Sequence, residues 1–455
     1  MPIAAVNPAS GKTIRTYEEM LPGEVAEISA NVAAAYPAWR ERSFAERAEV
    51  MRRAASILRE RAEEYGRLMA EEMGKPVRDG QAEAEKCAWV CDYYADNAER
   101  FLRRKQVDTD ASKSFVTYQP LGVVLAVMPW NFPFWQVFRF AAPNLMAGNV
   151  GLLKHASNVP GCALAIEDIF RQAGFPDNVF RTLLVGSRQV DAIIKNPLVR
   201  AVTLTGSTPA GRAVAAKAGE QLKKTVLELG GSDPYIILDD ADLALAVDVC
   251  VSSRLINSGQ SCIAAKRFIV TDKNRDDFEK RYVEKMRSFK MGDPLDPETQ
   301  VGPQARIDLR DELHHQVEQS IAQGARLLLG GEIPDRPGAY YPPTVLADVA
   351  PGMPAYDEEM FGPVAAIIPV SSEAEAVRVA NDSPFGLGAA VFTEDLEKGE
   401  QIAAEALEAG CCFVNSFVKS DPRLPFGGIK ESGYGRELGE VGIKEFVNIK
   451  TVWIR

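Results

Sequence analysis

The sequence predicts an α/β protein made of two successive strand–helix units that meet near residue 230. From about residue 122 onward, short apolar runs of strand length alternate with stretches of helical periodicity, the pattern of a parallel sheet with crossover helices. A second cycle of the same kind starts near Asp233. The chain has 455 residues, 46% hydrophobic and 25% charged, enough for two or three domains with large cores and no need of disulfides or metals.

The first hundred residues read as helices. Pro22-Gly23-Glu24 opens one, Ser43-Phe44-Ala45-Glu46 has the form of a capping box for the next, and residues 80–101 carry a third. The polar stretch 103–117 changes character. Residues 122–128 (GVVLAVM) then form a buried strand ended by Pro129. Strands follow at 150–154, 179–185, 201–205 and 225–229, with helices at 161–173 and 211–218. Past Asp233 come strand 235–238, helix 243–257, strand 267–271 and helix 273–285. The C-terminal region turns glycine-rich (PFGGIKESGYGRE), and residues 446–455 alternate like an edge strand. Two such units leave a cleft outside the carboxyl ends of their strands, where ligands bind.

Charge and composition exclude several classes. A formal net charge of -11 opposes a phosphate backbone, so no nucleic-acid partner is expected, although a local cationic pocket remains compatible with a small anionic substrate. Seven cysteines are too few and too scattered for a disulfide framework. Cys87 and Cys91 on a helix, and Cys411 and Cys412 before a strand-like run, read as small buried hydrophobes. Three histidines, two of them adjacent at His314-His315, supply neither a zinc site nor a Cys–His dyad, so no metal is expected. The N-terminus has no leader pattern, and no apolar run approaches the roughly 18 residues of a membrane helix. A reducing, cytoplasmic setting without a membrane partner is the expectation.

Four fragments carry chemistry. Asn257-Ser258-Gly259-Gln260-Ser261-Cys262 presents a thiol from a loop after a helix, which fits an activated nucleophile or a structural thiol. Glu228-Leu229-Gly230-Gly231 ends a strand, and its carboxylate fits a general base or a helix cap. Pro129-Trp130-Asn131-Phe132-Pro133 turns from strand to helix, so Asn131 is either an oxyanion donor or a turn former. Thr205-Gly206-Ser207 with Gly211 sets glycines between strand and helix, a phosphate cradle that lacks the GxGxxG spacing.

Taken together with Lys154, Glu359-Met360-Phe361-Gly362-Pro363 and Pro425-Phe426-Gly427-Gly428, these fragments resemble the aldehyde dehydrogenase superfamily in identity, order and spacing over essentially the whole chain. Within it the branch acting on succinate semialdehyde is the most similar. The resemblance implies a Rossmann-like cofactor domain (1–101 and 121–231), an α/β catalytic domain (232–431) and a small β element (102–120 and 432–455) that joins subunits into a homodimer or dimer of dimers. It implies that Cys262 attacks the aldehyde, that Asn131 and the Cys262 N–H hold the oxyanion, and that Glu228 activates water against the thioester. Glu359 and Phe361 correspond to the clamp on the nicotinamide ribose and ring, Lys154 to the adenosine ribose ligand and Ser207 to the residue beside the pyrophosphate. Trp130, Gly206, Gly211 and Leu229 belong to the same pocket, and Gln260 lines the site without an assigned role.

Departures from the family sharpen the expectation. Where many NAD-preferring relatives carry Lys-Pro-Ser-Glu, this chain has Lys154-His155-Ala156-Ser157. Ser157 does not repel a 2′-phosphate as glutamate would, so NADP is expected over NAD. Trp135 and Arg139 fall one and two helical turns beyond Asn131, on its face. Arg139 stands where several relatives with uncharged substrates have an aromatic residue. Its guanidinium is expected to meet a substrate carboxylate, or else a carboxylate of the protein. Ser261 and Ser420 match tunnel-wall positions. Ile256 stands where one type of succinate semialdehyde dehydrogenase has a second arginine, so anion recognition differs and glutarate semialdehyde stays open. Phe140 replaces a lysine thought to relay protons with a glutamate matching Glu437. Ile263-Ala264 excludes a disulfide partner two residues past the nucleophile. The alternatives are broader or uncharged-aldehyde specificity, transfer of the acyl group to coenzyme A, which Glu228 argues against, and a non-catalytic binding protein, which retention of Cys262, Glu228 and Asn131 argues against.

Overall fold

The computed structural model describes residues 2–455. After a short hairpin (Ile3–Val6 with Thr13–Tyr17) the chain is helical to Phe101, as the periodicity predicts. Ser43 caps helix Phe44–Glu60. Its hydroxyl accepts the Glu46 N–H at 3.2 Å while the Glu46 carboxylate accepts the Ser43 N–H at 2.7 Å, the reciprocal satisfaction of free helix-end donors that a capping box provides. Helix Val77–Phe101 buries Ala84, Cys87, Ala88 and Cys91 and packs against helices Phe44–Glu60 and Trp135–Met146.

Two sheets organise the rest. The first runs Gly433–Tyr434, Lys224–Glu228, Val199–Thr205, Val123–Met128, Val150–His155, Phe180–Thr182, all parallel except the short C-terminal strand at its edge. Helices cover both faces, which is why strands such as Val150–His155 are buried at every position and lack alternation. The second runs Arg326–Leu329, Thr344–Ala347, Val364–Val370, Arg267–Thr271, Pro234–Ile237, Gly388–Phe392, Cys411–Val414, parallel except for Arg326–Leu329. Residues 326–414 thus supply five strands that no motif singles out, and Cys411 and Cys412 lie within a strand instead of before one. A separate antiparallel sheet of Lys105–Gln106, Lys113–Pro120 and Val447–Ile454 joins the polar stretch near residue 110 to the C-terminus.

One expected helix ends early. It spans Leu243–Leu255, and Ile256–Gly259 forms a tight turn in which Asn257, Ser258 and Gly259 all take left-handed backbone angles (φ 52°, 57° and 80°). Among the described residues, no helix is long and apolar enough to cross a membrane.

Candidate active site

Strands Val199–Thr205, Val123–Met128 and Val150–His155 are parallel neighbours, so their carboxyl ends lie along one edge. Trp130 and Asn131 follow one end, Gly206 and Ser207 another, and Lys154 and Ser157 the third. Glu228 ends the next strand along.

The left-handed turn brings Cys262 to this edge. Two successive non-glycine residues in that region cost roughly 1 kcal/mol or more each, and the turn holds because surrounding groups bind it. Asn257 Nδ2 donates to the Asn131 carbonyl at 2.7 Å, Ser258 Oγ accepts the Gly302 N–H at 2.8 Å, and Arg254 Nη2 donates to the Gly259 carbonyl at 2.6 Å. A side chain at Gly259 would run into the Gly362 backbone. The Glu359-to-Pro363 motif and the nucleophile loop are therefore in backbone contact, which requires glycine at position 259, while a side chain at Gly362 would strike Leu313 and Gln304. The Asn131 side-chain amide donates to the Gln260 carbonyl at 3.1 Å, and Gln260 Oε1 accepts the Ala305 N–H at 2.8 Å, so Gln260 serves as framework.

Lys266 was not singled out by the sequence. Its buried ammonium donates to the carbonyls of Ser261, Cys262 and Ala264 at 3.0, 2.9 and 3.1 Å and lies 3.7 Å from Glu359 Oε1. It ties the nucleophile loop to the Glu359 carboxylate. The one available signal is a Lys-Arg pair opening a strand (Arg267–Thr271) that is otherwise apolar.

The Cys262 thiol is half-buried on the wall of a cavity of 610 Å³ that Asn131, Glu359 and Phe361 also line. Burial pushes its pKa up to about 12; Arg139 and Lys266 pull it down, and Glu359 and Glu228 add to the rise. The thiolate is then a minority species near neutrality. Iodoacetamide alkylation of Cys262 in the isolated protein is expected to accelerate about tenfold per pH unit between roughly pH 7 and 9, read by peptide mass mapping; a pH-independent rate would mean a preformed thiolate. Glu228 is buried with neither carboxylate oxygen hydrogen-bonded. Burial holds it well above the usual carboxylate range, against the pull of Arg139 and Arg436 and with the help of Glu437.

The same cavity suits a dinucleotide. Gly206 and Ser207 line it, and Ser207 is the N-cap of the 13-residue helix Thr208–Glu220, whose free N–H groups favour a pyrophosphate. Gly211 sits in the helix's first turn, where any side chain would strike Leu229. Trp130 and Phe361 face each other edge-on, ring centroids 5.8 Å apart. Glu359 Oε1 accepts the Gly231 N–H at 2.9 Å. Lys154 and Ser157 lie off this cavity, at the end of the adjoining strand. Lys154 is buried with no carboxylate partner among the described residues, and Ser157 is exposed in the turn before helix Pro160–Gln172.

On the opposite side of Asn131 the expectation for Arg139 needs correction. Its guanidinium is ion-paired with Glu437, both side chains buried, stacks 4.9 Å from the Phe426 ring centroid and reaches Thr205 Oγ1 at 3.4 Å. A buried cation takes the nearest anion, and here the fold supplies it. Of the two readings open at the outset, the protein carboxylate holds. Trp135 instead lines a second cavity, of 430 Å³, together with Phe132. Ser420 is buried and accepts a hydrogen bond from Lys86 at 2.9 Å, and Ser261 is buried beside Cys262. Glu83, also unremarked in the sequence, accepts the N–H groups of Phe134 and Trp135 at 2.8 and 2.9 Å and so caps the helix that carries Trp135 and Arg139.

A profile of the aldehyde dehydrogenase family matches residues 1–452. A probable succinate-semialdehyde dehydrogenase, NADP(+), of Synechocystis sp. is 53% identical over 457 residues, covering all of both chains. A succinate-semialdehyde dehydrogenase, NADP(+), of Mycobacterium tuberculosis is 50% identical over 457 residues with the same coverage. Among solved structures, succinic semialdehyde dehydrogenase from Streptococcus pyogenes in complex with NADP+ superposes with a TM-score of 0.97 at 40% identity, covering 99% of each chain.

Proposed function

Because the chain belongs to the aldehyde dehydrogenase family, we propose that it oxidises succinate semialdehyde, or a close ω-carboxy aldehyde, to the dicarboxylate with NADP+ as hydride acceptor. The observation that carries this reading is a single cavity lined by the Cys262 thiol, the Asn131 turn and the Glu359–Phe361 segment. The full-length relatives named for that substrate and cofactor support it.

Cys262, once deprotonated, forms a bond to the aldehyde carbon while the carbonyl electrons move to oxygen. The Asn131 amide and the Cys262 N–H bear that oxyanion, fixed in place by the turn beneath them. When bound, NADP+ supplies the acceptor for the hydride that leaves this carbon. Glu228 takes a proton from water as it attacks the resulting thioester. The carbon–sulfur bond breaks, freeing the carboxylate and the thiol. Lys266 holds the loop carbonyls still throughout, and Arg139 with Glu437 forms the charged floor beneath Glu228. Lys154 and Ser157 would hold the 2′-phosphorylated ribose, a reading supported by the partnerless Lys154 ammonium and by the absence of an acid at position 157.

The test is reduced-nicotinamide absorbance on mixing the protein with succinate semialdehyde or butanal, with NADP+ and NAD+ in parallel. Turnover faster with NADP+ and with the charged aldehyde is expected. In Ser157→Glu the NADP/NAD ratio of kcat/KM should fall by at least about tenfold, since facing like charges costs more than about 1.4 kcal/mol; an unchanged ratio would remove Ser157 from cofactor choice.

Three coarser proposals accompany this one. Residues 1–101 with 121–231, 232–431, and 102–120 with 432–455 form the cofactor, catalytic and bridging units. Exposed Ile449, Trp453 and Ile454 on the outer strand of the small sheet support subunit contact there, as a homodimer or dimer of dimers. All seven cysteines are free thiols, which supports a reducing, cytoplasmic setting.

A further inference from the structure

The Asn131 turn is gripped from two sides, and one of the grips is a pair of buried charges. On the side of the nucleophile loop, Asn257 Nδ2 donates to the Asn131 carbonyl at 2.7 Å and the Asn131 amide donates to the Gln260 carbonyl at 3.1 Å. On the other side stand Lys75 and Glu83, ion-paired with side chains 0% and 2% exposed. Glu83 Oε1 accepts the N–H groups of Phe134 and Trp135 at 2.8 and 2.9 Å, while Oε2 takes the Lys75 ammonium. Lys75 Nζ also lies 3.8 Å from the centroid of the Phe132 ring, within cation–π range. Lys75 is in turn tied back to the nucleophile loop. It lies in the joint between helices Ala62–Met73 and Val77–Phe101, where Gly74 takes a left-handed angle (φ 79°). The Gly74 carbonyl stands so close to Gly302 that any side chain there would strike it, and the Gly302 N–H donates to Ser258 Oγ at 2.8 Å. These contacts close a ring from the Cys262 loop through Gly302, Lys75 and Glu83 to the Asn131 turn, and back through Asn257.

We propose that the Lys75–Glu83 pair positions the oxyanion donor: by holding Phe132, Phe134 and Trp135 it sets where the Asn131 amide stands relative to the aldehyde oxygen. The proposal rests on the reading of Asn131 as that donor. The N–H groups of Phe134 and Trp135 open helix Trp135–Met146 and have no intrahelical acceptor, so a carboxylate there is favoured both by its hydrogen bonds and by the helix dipole. The ammonium occupies the second carboxylate oxygen and keeps the first turned to the helix end. A buried ion pair adds little net stability over apolar side chains of the same volume, but its bonds have a fixed length and direction. That suits a part whose task is placement. An oxyanion donor acts within a narrow range of distance, and a misplacement of about 1 Å costs roughly a hundredfold in rate. Lys75 and Glu83 act through Asn131 and are positioning residues.

The test measures the single-turnover rate of NADPH formation at saturating NADP+ and aldehyde, with succinate semialdehyde and with butanal. It compares wild type, Asn131→Ala, the double variant Lys75→Met with Glu83→Leu, and the same double variant carrying Asn131→Ala. Methionine and leucine replace the pair by apolar volume and leave no unpaired charge. In the double variant the rate should fall about tenfold or more for both aldehydes, because the oxyanion is common to them. NADPH affinity and the alkylation rate of Cys262 should stay within about twofold of wild type. Asn131→Ala should lose about a hundredfold, and adding the double variant to it should cost little more, since the pair then has no amide to position. Lys75→Met with Glu83→Gln, which keeps an acceptor for the two N–H groups but not the ammonium that aims it, should lose about threefold or more and less than the leucine variant. If the leucine variant does not fold, the glutamine variant with and without Asn131→Ala decides the matter in the same way. A rate within twofold of wild type in the leucine variant would overturn the proposal. So would losses that multiply fully with that of Asn131→Ala, or an equal fall in NADPH affinity, because the pair would then support the structure at large. An Asn131→Ala protein as fast as wild type would overturn the reading of Asn131 itself, and the proposal with it.

Discussion

Replacing Cys262 with serine is expected to lower kcat/KM for succinate semialdehyde by about a thousandfold or more, while the melting temperature and NADPH affinity stay close to wild type. The hydroxyl is a far weaker nucleophile than a thiol at any working pH, because its pKa lies far above that of a thiol and almost none of it is ionised. The loop should keep its shape, because the contacts that hold it are made to the backbone and to other side chains: Arg254 to the Gly259 carbonyl, Ser258 to Gly302, and Lys266 to the carbonyls of Ser261, Cys262 and Ala264. Steady-state kinetics, thermal unfolding and NADPH fluorescence together separate the two effects. Activity within tenfold of wild type would transfer the nucleophile's role away from Cys262.

Glu228→Gln is expected to give one rapid equivalent of NADPH per subunit and then turnover slower by about a hundredfold or more. The amide fills the same space but cannot accept a proton from water, so the thioester should accumulate on Cys262. The first half-reaction should persist, because the cationic groups that favour the thiolate, Arg139 and Lys266, are untouched by the substitution. Stopped-flow absorbance reads the burst, and intact mass of the quenched protein should show one added acyl group. Disappearance of the burst together with turnover would assign Glu228 to deprotonating Cys262 instead. The buried, unbonded state of this carboxylate suits it to the later step: burial raises its pKa above the usual carboxylate range, which makes the ionised form a stronger base toward water.

The local sequence determined a good deal about this protein. Strand 267–271 was legible to the residue and strand 122–128 nearly so, because strands buried on both faces must be continuously apolar and Pro129 ends the second. The Ser43–Glu46 cap was legible because its chemistry lies within four residues. Cys262, Glu228 and Asn131 were legible as motifs, and the fold then accounts for their spacing by bringing neighbouring strand ends to one edge. What only the tertiary structure decided was the partner of each buried charge. Arg139 and Glu437 are far apart in the chain, and whether the guanidinium meets a protein carboxylate or a ligand depends on how the C-terminal segment packs under Phe426. Lys266 carries no local mark either; it becomes a staple for the nucleophile loop solely through what is packed around it. Periodicity and local motifs report burial and backbone shape within a turn or two, whereas a charge or a left-handed turn such as Asn257-Ser258-Gly259 is stabilised by groups that folding brings from elsewhere in the chain.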